Sequence, residues 1–166
     1  ALRGNIGAEL KAVADAAGEE NLFFMPGYPE IHRITKNGMH YIDGELLENS
    51  VFGKDPFEPV KRSYIPDIIN EQSCITVRCV QSGEKIPESR KEDSSIIVCD
   101  TVTTEDIDKR LEELQEKKCL KFIAGCAGLA ARLVWKLPFE KKDGQMFRQT
   151  KALYVALSLI HISEPT

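Results

Sequence analysis

The sequence lacks any apolar segment long enough to cross a membrane. Its longest apolar run covers residues 152–157, whereas a membrane-spanning helix needs about 20 residues. The chain opens without an initiator methionine, and the charged residues Glu9, Lys11 and Asp15 occupy the region where a secretion signal would be apolar. We therefore expect a cytoplasmic protein without a membrane partner.

Clustered positive charge is also missing. The 166 residues include 22 Lys and Arg against 26 Asp and Glu, giving a net charge of −4, and the cations are spread along the chain. Nucleic-acid binding needs cations gathered on one surface, so we expect no nucleic-acid partner. A hydrophobic content of 42% is sufficient for the core of one globular domain.

The cysteines and histidines do not form a metal-binding pattern. No two of the five cysteines have the Cys-x-x-Cys spacing typical of zinc sites. His32 and His40 flank a stretch without Cys or carboxylate residues, so no metal site is predicted. Because unpaired cysteines are usually buried, we expect buried free thiols in a reducing cytosol.

Short apolar runs alternate with segments of helical periodicity. This order predicts an α/β fold with a mostly parallel sheet and helices on both of its faces. Asp43-Gly44 lies between apolar flanks and predicts a β-hairpin insertion over residues 38–47. Trp135, in the last predicted helix, is expected in the core. The predicted strands are 21–25, 75–80, 95–99 and 120–124, and the predicted helices are 5–17, 64–72, 104–118 and 127–137.

Three positions at element boundaries are candidates for ligand binding. The turn Gly125-Cys126-Ala127-Gly128 could cradle an anion with backbone N–H groups or could simply allow tight strand–helix packing, and the pattern favours neither. Arg3 could bind a carboxylate and Asn5 a hydroxyl, although a capped helix start is the commoner reason for such residues. Asp100 follows a strand, where ligands of parallel sheets bind, but it also suits a turn.

Five segments resemble, in collinear order, the motifs of the four-carbon acid sugar kinase family. LRGNIGAEL resembles the end of K-x-D-S-T-L-R-G-N-x-G-x-E, and FFMPGYPEIHRITKNGMHYIDGELL resembles the family's strand, proline loop and H-Y-V-x-G hairpin. DPFEPV, VCDTVTTEDI and FIAGCAGLAARL resemble D-P-x-x-P-V, V-x-D-A-x-T-x-x-D-L and G-S-A-G-L-A. Together the matches extend from residue 1 to about residue 133.

The resemblance implies an ATP- and Mg²⁺-dependent kinase for sugar acids such as threonate, erythronate or an oxo-tetronate. It implies that residues 1–137 are part of an N-terminal acid-sugar-binding domain and that 138–157 lead towards a C-terminal ATP-binding domain. The alternatives are a non-catalytic sugar-acid-sensing domain and a different α/β transferase. The substrate-binding residues that it implies are Arg3, Gly4, Asn5, Arg33, Gly38, His40, Gly125, Cys126, Ala127 and Gly128.

The sequence departs from the family pattern at both ends. The leading D-D-x-T-G-A strand, from which the catalytic base would most plausibly come, would lie before Ala1, which leaves Asp100 as a weak candidate. Cys126 stands where the family has Ser. Without the ATP-binding half, the 166 residues alone are expected to be inactive. Residues 158–166 resemble translated sequencing-adapter read-through and are expected to be non-native.

Overall fold

A computed structural model describes residues 2–18, 21–87 and 94–137 of the chain. Four parallel strands form the main sheet in the spatial order β5-β6-β1-β7, and three antiparallel strands form a small second sheet in the order β2-β3-β4. The strands are β1 Asn21–Met25, β2 Arg33–Lys36, β3 Met39–Ile42, β4 Glu45–Leu46, β5 Thr76–Val80, β6 Ser95–Cys99 and β7 Ile123–Gly125. The helices are α1 Ile6–Ala17, α2 Ile65–Asn70, α3 Thr104–Glu116 and α4 Ala127–Leu133.

Helices cover both faces of the main sheet. Successive residues of a strand point to opposite faces, so each central strand places apolar side chains against both layers of helices. Phe23 and Ile97 pack with apolar residues of α3 and α4, such as Leu111. Leu22 and Ile96 pack on the other face with apolar residues of α1 and α2. Both faces are therefore buried, and the predicted mostly parallel α/β fold is confirmed.

The ends of the two long helices follow from local chemistry. α1 ends at Gly18, whose φ of 64° is the left-handed conformation that glycine adopts readily. α3 begins with a capping box in which the Thr103 side chain accepts the backbone N–H of Asp106, and the Asp106 side chain accepts that of Thr103. Asn5 precedes α1 as predicted, but the Gln72 side chain accepts the Gly7 N–H instead, at 2.8 Å.

The small sheet contains two tight turns. Asp43-Gly44 joins β3 to β4, which confirms the predicted hairpin. A second turn, Asn37-Gly38, joins β2 to β3 with φ values of 52° and 72°. Asn-Gly is the preferred sequence for such turns, so this turn is a local signal that was not among the predictions. The strands β2 and β3 with this turn are called the β2–β3 hairpin below.

The β2–β3 hairpin is held between two segments of the main fold. On one side, Thr35 and Thr101 exchange backbone hydrogen bonds of 3.1 and 2.9 Å. On the other side, the His40 N–H donates to the Ser63 carbonyl at 2.8 Å, and the Ile65 N–H donates to the Gly38 carbonyl at 2.9 Å. The hairpin is thus fixed at the carboxyl edge of the main sheet.

The C-terminal part of the described chain differs from the predictions. β7 begins at Ile123 rather than at residue 120, because the backbone turns after α3 through Lys118, with φ of 59°, and a hydrogen bond from Cys119 to Leu114. Helix α4 stops at Leu133 instead of residue 137, and the expectation that Trp135 is buried is wrong, since it is 81% exposed.

The expectation of buried thiols holds for only one of the five cysteines. Cys99 is buried, whereas Cys74 is exposed and Cys79, Cys119 and Cys126 are partly exposed. The segments 138–157 and 158–166 lie outside the described residues. None of the helices in the described ranges has the length and apolar character needed to span a bilayer.

Candidate functional site

The carboxyl ends of the parallel strands bring three loops to one edge of the main sheet. Pro26 and Gly27 follow β1, Asp100 follows β6, and Cys126 follows β7. The loops after β1 and β7 touch each other, because the Cys126 thiol lies 3.2 Å from the Gly27 carbonyl, to which it can donate. Ligands of parallel sheets bind at this edge.

A cavity of about 400 Å³ opens where the β1 and β7 loops meet the β2–β3 hairpin. Its size is suited to a small organic molecule. It is referred to below as the central cavity. Five of the predicted binding residues line it, namely Arg33, His40, Gly125, Cys126 and Ala127, together with Leu2, Ile6, Phe24, Pro26, Tyr28 and Ile31.

Arg33 supplies the positive charge of the central cavity. Its side chain is half-buried, and its guanidinium carbon lies 5.3 Å from the centroid of the Phe52 ring. Within the described ranges no carboxylate is within ion-pair distance of Arg33. The described lining of the cavity also contains no Asp or Glu. The site therefore offers a cation to an anionic ligand.

His40 is the second polar side chain of the cavity. It is 1% exposed, and its Nδ1 lies 3.1 Å from the Thr35 hydroxyl, which faces it across the strand pair. Burial above all, with the charge of Arg33 as a smaller cause, lowers the pKa of His40 to about 4. The imidazole is therefore neutral at physiological pH and can exchange hydrogen bonds with a ligand.

Arg3 does not line the central cavity. Its guanidinium forms an ion pair of 2.6 Å with Asp55 and lies 5.5 Å from the centroid of the Phe52 ring. Backbone hydrogen bonds from Glu58 and Phe57 are the main cause of a lowered pKa of Asp55. Gly4 and Asn5 lie with Arg3 along a neighbouring surface depression. The charge of Arg3 is thus already neutralised in the structure.

Asp100 and Gly38 also lie outside the cavity lining. Both oxygens of Asp100 accept backbone hydrogen bonds, from Asn37 at 2.5 Å and from Gly38 at 3.0 Å. Burial is the largest influence on the carboxyl group and raises its pKa. Asp100 borders a separate polar groove between residues 82–85 and α3. Its contacts are those of a group that anchors the hairpin turn.

The Gly125–Gly128 turn combines an exposed and a packed part. Gly125, Cys126 and Ala127 face the cavity. Gly128 instead lies against Tyr28, where an added Cβ would come within 2.8 Å of the ring. Close packing therefore accounts for glycine at position 128, while the preceding three residues are available to a ligand.

Three residues at the site were not predicted from the sequence: Tyr28 lines the cavity, Phe52 contacts Arg33, and Thr35 contacts His40. Phe52 lies in a proline-containing loop, and its burial depends on contacts with distant segments. Thr35 could have been found, because a two-residue turn at Asn37-Gly38 places it opposite His40. No group of three or more His, Cys, Asp or Glu side chains in the described part of the chain is arranged to hold a metal ion.

Comparison with known proteins gives one family and several relatives. The model of the sugar-binding N-terminal domain matches residues 1–133. The chain is 30% identical over 149 residues to a protein named D-threonate kinase from Salmonella typhimurium, with 85% of this chain and 35% of that protein aligned. It is 30% identical over 118 residues to D-erythronate kinase from Heliobacterium modesticaldum, covering 64% of this chain and 27% of that protein.

A solved structure from Bordetella bronchiseptica has a similar fold. The TM-score is 0.61 at 26% identity, over 81% of this chain and 35% of that chain. That protein, a domain of unknown function, was crystallised with bound citrate as a domain-swapped dimer. The present chain spans about a third of the length of the curated relatives that it matches.

Proposed function

The chain belongs to the family of sugar-binding N-terminal domains, and we propose that it binds a four-carbon sugar acid as part of an ATP-dependent kinase. The family match and the relatives named as kinases of threonate and erythronate confirm the resemblance seen in the sequence motifs. The proposed ligand is a small hydroxy acid in the central cavity. The citrate bound by the Bordetella protein supports a hydroxy acid as the ligand class.

The observation that carries the proposal is the unpaired guanidinium of Arg33. A half-buried guanidinium that lies over the Phe52 ring and has no carboxylate partner among the described residues is available to bind an anion. Arginine suits a carboxylate because its planar group can donate two parallel hydrogen bonds. We therefore assign the carboxylate of the sugar acid to Arg33.

The remaining polar groups suit the hydroxyls of the ligand. His40 is neutral at physiological pH, so it can contact a hydroxyl without adding a second buried charge. The backbone around Gly125, Cys126 and Ala127 faces the same cavity and offers further hydrogen-bonding groups. Apolar contacts with Tyr28 and Ile31 would exclude water from the bound acid.

The phosphoryl-transfer step is proposed for the whole protein. ATP and Mg²⁺ would supply the transferred group and neutralise its charge. The described residues contain no suitable cluster of metal ligands, so we assign none of them to the nucleotide or the metal. In the relatives, about two thirds of the length lies outside the matched region, and we propose nucleotide binding there.

Calorimetric titration of the 166-residue chain with D-threonate and D-erythronate tests the proposal. Arg33→Ala should weaken binding about ten- to one-hundred-fold, because a hydrogen bond to a charged group contributes about 1.5–3 kcal/mol. Arg62→Ala is the matched control, since Arg62 is exposed and pairs with Glu71 outside the cavity. Absence of binding to either acid would contradict the proposal.

A phosphoryl-transfer assay separates the kinase from a sensing domain. With ATP, Mg²⁺ and the acid that binds, the 166-residue chain alone should transfer no phosphate. A longer product of the same gene should do so. Binding without transfer by that longer product would favour the non-catalytic alternative.

A further inference from the structure

Arg33 and His40 of the central cavity lie on one hairpin, and the carboxylate of Asp100 binds both N–H groups of its turn. Arg33 opens β2 and His40 lies in β3, on either side of the turn at Asn37-Gly38. Asp100, 2% exposed, accepts the N–H groups of both turn residues. Hydrogen bonds to an ionised carboxylate are roughly twice as strong as neutral ones.

The turn has little room to move while these bonds are made. An added Cβ at Gly38 would come within 2.8 Å of both the Cys79 sulfur and the Tyr64 ring. The turn is thus seated between β5 and the start of α2, with Asp100 binding it from the end of β6. Because Thr35 and His40 are paired across the strands that this turn joins, the position of the turn constrains His40, together with the hydrogen bond from the His40 N–H to the Ser63 carbonyl.

Asp100 is poorly placed to act on the ligand itself. It borders the polar groove near α3 rather than the central cavity. Each of its oxygens is engaged by a backbone donor. A general base must lie within hydrogen-bond reach of the proton that it removes.

We infer that Asp100 is a positioning residue for sugar-acid binding: by fixing the Asn37-Gly38 turn, it helps to hold His40 in the orientation that the central cavity requires. The inference rests on the proposed function, since it concerns the same cavity. It assigns to Asp100 a role in affinity for the acid rather than in proton transfer.

The substitution Asp100→Asn tests the inference, because an amide can accept a hydrogen bond but places an NH₂ group where the second oxygen accepted one. Affinity for D-threonate should fall about ten-fold or more, and the imidazole NMR signals of His40 should shift. Asp100→Glu, which keeps the carboxylate, should restore part of the affinity. Unchanged affinity in Asp100→Asn would overturn the inference, and that is the result expected of a catalytic base.

Asp106→Asn is the matched control. Asp106 also accepts two backbone N–H groups, from Val102 at 3.0 Å and Thr103 at 2.7 Å, but it fixes the start of α3. Its substitution should leave D-threonate affinity within about two-fold of wild type, with the His40 signals unchanged. An equal loss of affinity in both variants would show a general effect of stability and would overturn the inference.

Hydrogen exchange on the unmodified chain covers the case in which Asp100→Asn does not fold. If opening of the turn abolishes binding, ligand at one hundred times its dissociation constant should slow exchange of the Asn37 and Gly38 amides by up to about 100-fold. The amide of Gly44, in the other turn, should not be slowed. Equal exchange with and without bound ligand at Asn37 and Gly38 would overturn the inference. Failure of the unmodified chain to bind either acid would instead count against the proposed function.

Discussion

Arg3 and Arg33 lie over the same aromatic ring, with guanidinium carbons 5.5 and 5.3 Å from the centroid of Phe52. The two guanidinium groups differ in ion pairing, since Asp55 pairs with Arg3 while Arg33 has no carboxylate partner among the described residues. The ring therefore joins a neutralised cation to one that faces the central cavity. We therefore expect Arg33 to contribute more than Arg3 to acid binding.

Arg3→Ala should weaken D-threonate binding less than Arg33→Ala. Arg3 acts on the cavity through Phe52, whereas Arg33 lines it. Titration calorimetry on both variants measures the order. A loss in Arg3→Ala equal to or greater than that in Arg33→Ala would indicate that the acid binds beside Arg3, as the sequence motif alone suggested.

Phe52→Leu should lower both stability and sugar-acid affinity. The ring is 7% exposed, and each cation–π contact contributes about 0.5–2 kcal/mol. We expect a loss of about 1–3 kcal/mol in the free energy of unfolding and a several-fold weaker affinity for D-threonate. Phe57→Leu is the control, because Phe57 is 87% exposed, and it should change neither quantity in urea denaturation and calorimetry.

Gly128→Ala should displace Tyr28 from the wall of the central cavity. The added methyl group would lie within 2.8 Å of the Tyr28 ring, and overpacking of this type costs about 1–3 kcal/mol. We expect weaker D-threonate binding as well as a lower unfolding free energy. Gly18→Ala, at the end of α1 with nothing within 4 Å of the added group, should lower stability through its backbone conformation alone. Equal affinity in the two variants would contradict the prediction.

Acidification should destabilise the fold through His40. Its pKa falls from 6.5 to about 4 on folding, so the unfolded chain binds a proton in this interval while the folded chain does not. The contribution is fully present above pH 6.5 and is lost as the pH falls towards 4, by about 3 kcal/mol in total.

Urea denaturation across that pH interval, compared between wild type and His40→Asn, measures this contribution. The variant should lose about 3 kcal/mol less stability than wild type over the interval. His32→Asn, at an exposed position, is the control and should follow the wild-type curve. Parallel curves for wild type and His40→Asn would show that His40 is not buried in its neutral form.

Local signals in the sequence predicted the elements that form the main sheet and its helices. The spacing of apolar residues in α1 and its stop at Gly18 follow from interactions within a few residues, as does the capping of α3. The Asn37-Gly38 turn is an equally local signal, because a two-residue turn at these positions pairs Thr35 with His40. The predictions failed at β7, which begins late because the chain turns sharply at Lys118, and at α4, which ends at Leu133.

The arrangement of charged and aromatic residues around the central cavity depends on contacts between distant segments. The motif around Arg3 suits acid binding, but its guanidinium pairs with Asp55 instead. Sequence periodicity does not reveal an ion pair between residues so far apart in the chain. Phe52 belongs to a loop segment, yet it is buried against residues of other elements. Asp100 was correctly expected at the end of a strand, while its bonds to the hairpin turn required the tertiary fold.

The β2–β3 hairpin separates part of the ligand-facing chemistry from the packing of the main sheet. Its residues contribute nothing to the two clusters that bury the faces of the main sheet in the described structure. A substitution at Arg33, which faces the central cavity, can therefore alter the chemistry offered to a ligand while these two clusters stay the same. Exchange of Arg33 therefore leaves the apolar packing of the main sheet in place, whereas exchange of His40 or Ile42 on the same hairpin also changes stability.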